Sequence, residues 1–154
     1  MRFALIAVSL SVWAVAGCAA PMPSAGSEGV PDTEVSVLSL QVGSCLNDID
    51  QPIAQEMTEI PALDCEEPHQ SEVYAEVFID DASFPGIDAV TAFAIERCEA
   101  EFEQFVGLPY AESTLSFHYY YPTQNSWAIG DRSVFCVVYD PAGNSEGSLA
   151  NTRR

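Results

Sequence analysis

Apolar residues occur first as one unbroken block, then in short alternating runs separated by Gly, Pro and Asp, with a single stretch of helical period. Residues 35–42 set Val35, Val37, Ser39 and Gln41 against Ser36, Leu38, Leu40 and Val42, which predicts a strand with Leu38, Leu40 and Val42 facing inward. Residues 60–65 form a second, shorter strand candidate, and residues 72–80, rich in Val, Tyr, Phe and Ile, a stronger one. After the loop signal Phe84-Pro85-Gly86, Asp88 is positioned to cap the one long helix, predicted over residues 89–106 and stopped by Gly107. Ala94, Ile95, Cys98, Phe102, Phe105 and Val106 share its apolar stripe, with Glu96, Glu99 and Glu103 opposite and Arg97 and Glu101 spaced to pair on the rim. Residues 115–121 read as a strand ended by Pro122. Thr123 can then cap a short helix that runs through Ile129 and stops at Gly130, and residues 133–139 are the last strand. The order predicts an α+β fold: one main helix packed on a largely antiparallel sheet of about five strands, with a short second helix.

The apolar block at the N-terminus changes the picture of where the domain resides. Met1-Arg2 followed by an apolar run from Phe3 to Val15 has the charged start and short hydrophobic centre of an export signal, and is too short to span a bilayer. Val15-Ala16-Gly17-Cys18 matches a lipobox, in which the sulfur of Cys18 takes up a diacylglyceryl group and becomes the mature N-terminus. The competing reading is an ordinary secretory signal cleaved at Ala16-Gly17 or Ala19-Ala20. Residues 18–34 carry three prolines and two glycines without apolar periodicity, the composition of a tether spanning about 20–25 Å. The expected organisation is a lipoprotein signal peptide at 1–17, a disordered tether at 18–34, one domain at 35–149 and a C-terminal tail at 150–154. Palmitate or a similar lipid on Cys18 would hold that domain at the extracytoplasmic face of the cell membrane.

Charge excludes some partners. The 154 residues include 23 Asp and Glu against five Arg and no Lys, a formal net charge of −18. Such a balance repels phosphate backbones and anionic headgroups, so nucleic acid is excluded as a partner and the membrane would be held through the lipid alone.

Cys45, Cys65, Cys98 and Cys136 remain beside Cys18. An even number in an exported domain predicts disulfides, and three pairings are possible. Cys98 lies at the centre of the helix's buried stripe and Cys136 within the last strand, so they are expected to meet where helix packs on sheet, leaving Cys45 with Cys65 at the ends of the first two strands. Cys65-x-x-x-His69 has a zinc-like spacing, but no second cysteine or histidine pair completes a tetrahedral set, so neither metal nor cofactor is expected.

Candidate chemistry is sparse. No nucleophile elbow, zinc-protease helix or phosphate loop occurs. His69, His118, Glu72 and Asp131 are the titratable candidates for an acid or base. Asp140, Asn144 and Glu146 lack the ligand spacing of an EF-hand loop and read as a solvated turn. Asp131-Arg132 reads as an ion pair or backbone brace, with Arg132 able to receive an anion. Tyr119 and Tyr121 alternate against Tyr120, so one set is expected beneath the helix. Tyr119 and Tyr121, with Trp127, Arg132 and His69, make the candidate binding surface.

Several stretches together resemble the septum formation domain family of high-GC Gram-positive bacteria. They are Val42-Gly43-x-Cys45-Leu46-Asn47, Cys65-x-x-Pro68-His69-x-x-Glu72-Val73-Tyr74, Phe84-Pro85-Gly86, Cys98, Tyr121-Pro122-Thr123-x-x-Ser126-Trp127-x-x-Gly130-Asp131-Arg132, Cys136 and Tyr139-Asp140. The resemblance implies an extracytoplasmic module linked to division septum formation and carries no catalytic residue with it. The expected function is a non-enzymatic binding or scaffold module of the cell envelope, its partner an envelope protein or cell-wall component. The alternative is an envelope enzyme using His69 as general acid or base beside a carboxylate.

Overall fold

The computed structural model describes residues 32–50 and 58–154. The stretch read as a leader, the expected lipid site Cys18 and all but the last residues of the stretch read as a tether lie outside them. The elements, in chain order, are β1 (Thr33–Ser36), β2 (Cys45–Leu46), β3 (Glu59–Leu63), β4 (Ser71–Phe78), α1 (Ile87–Val106), β5 (Ser116–Tyr120), α2 (Gln124–Ala128) and β6 (Ser133–Tyr139). The strands form one antiparallel six-stranded sheet in the order β1-β3-β2-β4-β6-β5. The architecture is the α+β arrangement expected, with one strand more: the stretch read as a single strand splits after Ser36, and the added strand is β2, a pair of residues beyond that stretch which bridges β3 and β4.

That split overturns the orientation expected for residues 35–42. β1 begins at Thr33, inside the stretch read as tether, because Thr33 to Ser36 pair with Ala62 to Glu59. A 3-10 turn at Val37–Ser39 then breaks the alternation, the Leu38 amide donating to the Ser36 hydroxyl at 3.3 Å. Leu40 is buried as expected, whereas Leu38 and Val42 are exposed.

Helix α1 starts two residues earlier than predicted. Gly86, at φ 94°, takes the N-cap position, and Asp88 sits in the first turn, where its carboxylate favours the positive end of the helix dipole. The buried line is Val90, Ala94, Cys98, Phe102 and Val106, a strict four-residue repeat. Ile95, placed in the stripe by sequence, is 48% exposed because that repeat narrows the contact to one row, and Phe105 is half-buried at its rim. Arg97 and Glu101 pair at 3.1 Å on the exposed face.

Gly107 ends the helix in the left-handed conformation, φ 80°, its amide donating to the Glu103 carbonyl at 2.8 Å. The last helical carbonyls are met by the C-terminal segment: Asn151 N–H donates to Phe105 at 2.7 Å and Arg153 N–H to Val106 at 2.9 Å. A side chain on Gly107 would crowd Arg153 Cγ at 3.2 Å. Residues 150–154 therefore dock on the domain, and Arg154 pairs with Asp140.

Two cores lie on opposite faces of the sheet. Beneath α1, Val90, Ala94, Phe102 and Val106 meet Tyr74, Val77, Val134, Cys136 and Val138, with Phe117 and Tyr119 of β5 packed alongside. The opposite face carries Leu40, Leu46, Ile60, Val73, Phe135 and Val137, flanked by Val35, Ala62 and Tyr120. All six strands contribute to this second core without a covering helix, so the sheet curls over itself. A β-bulge between Val73 and Ala75 helps: Val73 opposes Val137 and Ala75 opposes Cys136, which leaves Tyr74 as an extra residue. Tyr74, Ala75, Val77 and Ile79 consequently serve the helix-side core, while Val73 before the bulge serves the other.

The disulfides are Cys45–Cys65 and Cys98–Cys136, with Cα separations of 5.3 and 5.4 Å. The first ties β2 to the chain leaving β3. The second ties the centre of α1 to the centre of β6, as the shared buried positions predicted.

Candidate functional site

The phase shift introduced by the bulge has a consequence at the far end of β4. Counting past the extra residue, Val77 and Ile79 face α1, so Phe78 projects on the other side, where it is 63% exposed. Leu38 from the 3-10 turn is 54% exposed and Ile129 at the end of α2 77% exposed. With Phe135 and the stretch from Gly130 to Ser133, these three line a groove of about 460 Å³. Three large apolar side chains that water would oppose exposing singly thus share one hollow.

The polar end of the groove is held by α2. Thr123 and Ser126 form a reciprocal capping box, the Thr123 hydroxyl accepting from Ser126 N–H at 3.2 Å and the Ser126 hydroxyl from Thr123 N–H at 2.9 Å. This fixes Trp127, which is buried edge-on to Phe84 with ring centroids 5.6 Å apart. Arg132 lies over the indole, its Cζ 3.6 Å from the ring centroid, and its Nη1 donates to the carbonyls of Trp127 at 3.0 Å and Asp131 at 2.6 Å. Asp131 turns away to accept from Ser133 N–H at 3.0 Å. Asp131-Arg132 is therefore a brace on backbone rather than an ion pair.

The expected binding surface is redistributed by this packing. Trp127 is the support beneath Arg132 and does not present a ring to solvent. Tyr119 packs toward the helix-side core, and its hydroxyl is held above its ordinary pKa by burial and by Tyr121, the more exposed ring 5.9 Å away. Tyr120 goes to the opposite core, so both faces of β5 are used for packing. Leu38, Phe78 and Ile129 were not singled out by sequence; their exposure follows from a 3-10 turn, a bulge and a helix end.

His69 is fully buried and leaves the surface set entirely. Its backbone forms a two-way bridge with Ser145, and Nδ1 is 2.9 Å from the Glu67 carbonyl, which assigns the ring proton to that nitrogen. Neither this groove nor the shallower hollow of about 450 Å³ beside Glu96, Glu99 and Glu103 is lined by His69. The adjacent Glu72 is also buried, accepting from the Ser148 hydroxyl at 2.8 Å and Leu149 N–H at 2.6 Å, so it anchors the C-terminal loop. Glu72 lies against Cys45 and Cys65, but the bridge between the two sulfurs removes both thiolates as metal ligands.

A second polar cluster closes the opposite end of the curl. Asp48 is buried and accepts from the Ser71 hydroxyl at 2.5 Å and the Tyr120 hydroxyl at 2.6 Å. His118 Nε2 stands 3.2 Å from the same carboxylate without hydrogen-bond alignment, and its ring lies edge-on to Tyr120 and Tyr139. Burial raises the Asp48 pKa, but His118, Ser71 and Tyr120 together outweigh it and hold the group below its ordinary value. Ser71 is fully buried and Asp48 nearly so, and their bonds tie the segment after β2 to β4 and β5.

Among the described residues no helix is long and apolar enough to cross a membrane. Comparison with curated proteins and with solved structures found no match. The family model for septum formation matches residues 21–152, which takes in both disulfides, the docked C-terminal segment and every wall of the groove: the chain belongs to the septum formation family.

Proposed function

We propose that this domain is a non-enzymatic binding module of the cell envelope, acting in septum formation, which docks a partner protein in the groove of Leu38, Phe78 and Ile129. The convergence of those three exposed side chains on one hollow carries the reading. Family membership supports the role in septum formation. The remaining titratable clusters support a binding role over catalysis, since Glu72 and Asp48 are consumed in holding loops and strands together and His69 is closed to substrate. In this reading Cys18, outside the described residues, carries the lipid that keeps the module at the extracytoplasmic face, and the partner is an envelope protein within reach of the tether.

The test is a fluorescent fusion to the full chain in dividing cells, compared with Phe78→Asp/Ile129→Asp. Both positions are exposed, so the variant should keep the wild-type circular dichroism and unfolding midpoint. Enrichment of the wild type at division sites, with even distribution of the variant, is the expected result. Equal enrichment of the two would remove the groove from the function.

A further inference from the structure

We propose that the groove selects a protein segment in which apolar side chains flank a carboxylate, with Arg132 receiving that carboxylate; this rests on the groove being a docking site. Its walls are apolar along Leu38, Phe78, Ile129 and Phe135, and its polar end carries Arg132. Arg97 and Arg154 are neutralised by Glu101 and Asp140, whereas no carboxylate lies within pairing distance of Arg132 among the described residues. Even Asp131, its neighbour in sequence, directs a carboxylate oxygen to Ser133 N–H instead. The Nη1 donors are used on two carbonyls, which leaves the Nη2 and Nε hydrogens without protein acceptors among the described residues.

The stack on Trp127 and the two carbonyl bonds hold the guanidinium plane in place before any ligand arrives, so little side-chain freedom is lost on binding. In a chain of net charge −18, this fixed cation, beside apolar walls and an Asp131 carboxylate already bonded to Ser133 N–H, is a local break in the acidic surface. The surrounding field is screened within about 8 Å at physiological salt, so an anion is favoured only once it is seated in the groove. That combination discriminates: apolar contact brings the segment in, and the carboxylate decides which segment stays.

The other occupants fit less well. An anionic lipid surface would face the whole acidic domain at once. A glycan needs polar partners along its length, and the groove offers them at one end only, with Leu38, Phe78, Ile129 and Phe135 along the rest. A second copy would bring two strongly acidic surfaces together.

The experiment is a titration of the isotope-labelled full-length protein, with Cys18→Ser to keep it soluble, followed by NMR at the Ile129 methyls and the Arg132 side chain. The probes are a capped peptide with apolar residues around a central aspartate and its asparagine and lysine counterparts. The aspartate peptide should bind about tenfold more tightly than the lysine peptide, a charge-assisted contact in a partly dry site. Arg132→Gln should bind all three alike, Arg132→Lys should keep part of the preference, and Phe78→Ser should weaken all three together. Equal binding of the three peptides to the unsubstituted groove would overturn the carboxylate selectivity while leaving the docking site intact. If no peptide moves the Ile129 signals, the docking site itself is overturned. Stronger shifts from anionic vesicles or soluble cell-wall glycan, or peptide-free shifts that grow with protein concentration, would assign the groove to those occupants and overturn the proposal.

Discussion

The hydroxyl of Tyr74 donates to the backbone carbonyl of Cys98 at 2.6 Å, so β4 is bonded to α1 at the same residue that α1 joins covalently to β6. Tyr74 is the extra residue of the bulge, which is why a side chain from β4 can reach this carbonyl between the flanking ladder pairs. Its ring meets Phe102 edge-on at 5.8 Å, and burial pushes its hydroxyl far above the ordinary tyrosine range. Tyr74→Phe keeps the ring and removes only the bond, so it should cost about 1 kcal/mol in urea unfolding. A cost near zero would show that the carbonyl is satisfied without Tyr74.

The two disulfides should differ in weight. Cys98 and Cys136 are 38 residues apart and Cys45 and Cys65 are 20 apart, so the chain-entropy relation gives about 4 and about 3 kcal/mol. Paired alanine substitutions followed by denaturant unfolding should reproduce that order. Thiol titration of the denatured, unreduced protein should find none of these four sulfurs free; four reactive thiols would refute both bridges.

Asp48 predicts the acid limb of stability. Its folded pKa lies below the ordinary 3.8, so its contribution is complete above that value and is lost as pH falls through the depressed one. Asp48→Asn removes the titration and should cost about 1–3 kcal/mol at neutral pH, since one acceptor for Ser71 and Tyr120 is replaced by an amide. Stability of the variant should then vary less than wild type between about pH 5 and pH 2. Identical acid profiles would mean the Asp48 cluster is not the acid-sensitive element.

Cys18→Ser should release the protein from cells into the medium, read by fractionation and by the mass of the processed chain. Retention at the membrane equal to wild type would assign anchoring to something other than a lipid on that sulfur.

Local chemistry was legible wherever a residue's effect is confined to its own neighbourhood. Gly107 needs only its missing side chain to end α1, Thr123 and Ser126 cap α2 from three residues apart, and residues 133–139 form β6 with the predicted bounds. The pairing of Cys98 with Cys136 was legible too, because helical period and strand alternation put each at the middle of a buried face. Leu38 and Ile95 were misplaced for the converse reason: periodicity gives direction within an element, but a 3-10 turn or a narrow contact row decides which phase is actually buried.

The groove belongs to a different order of information. Leu38, Phe78 and the pair Ile129 and Arg132 come from three separate parts of the chain and are brought together by the curl of the sheet, the bulge before Ala75 and the seating of Trp127. His69 shows the same limit, since its burial depends on pairing with Ser145, far along the chain. The amino-acid order by itself determined the main helix, the short helix, β4 and β6, the sulfur pairs and the acidic character, all of which are set by local conformational preference and composition. Which exposed apolar groups converge, and which polar groups are sealed away, was decided only by tertiary structure, because those outcomes depend on how whole elements pack over one another in three dimensions.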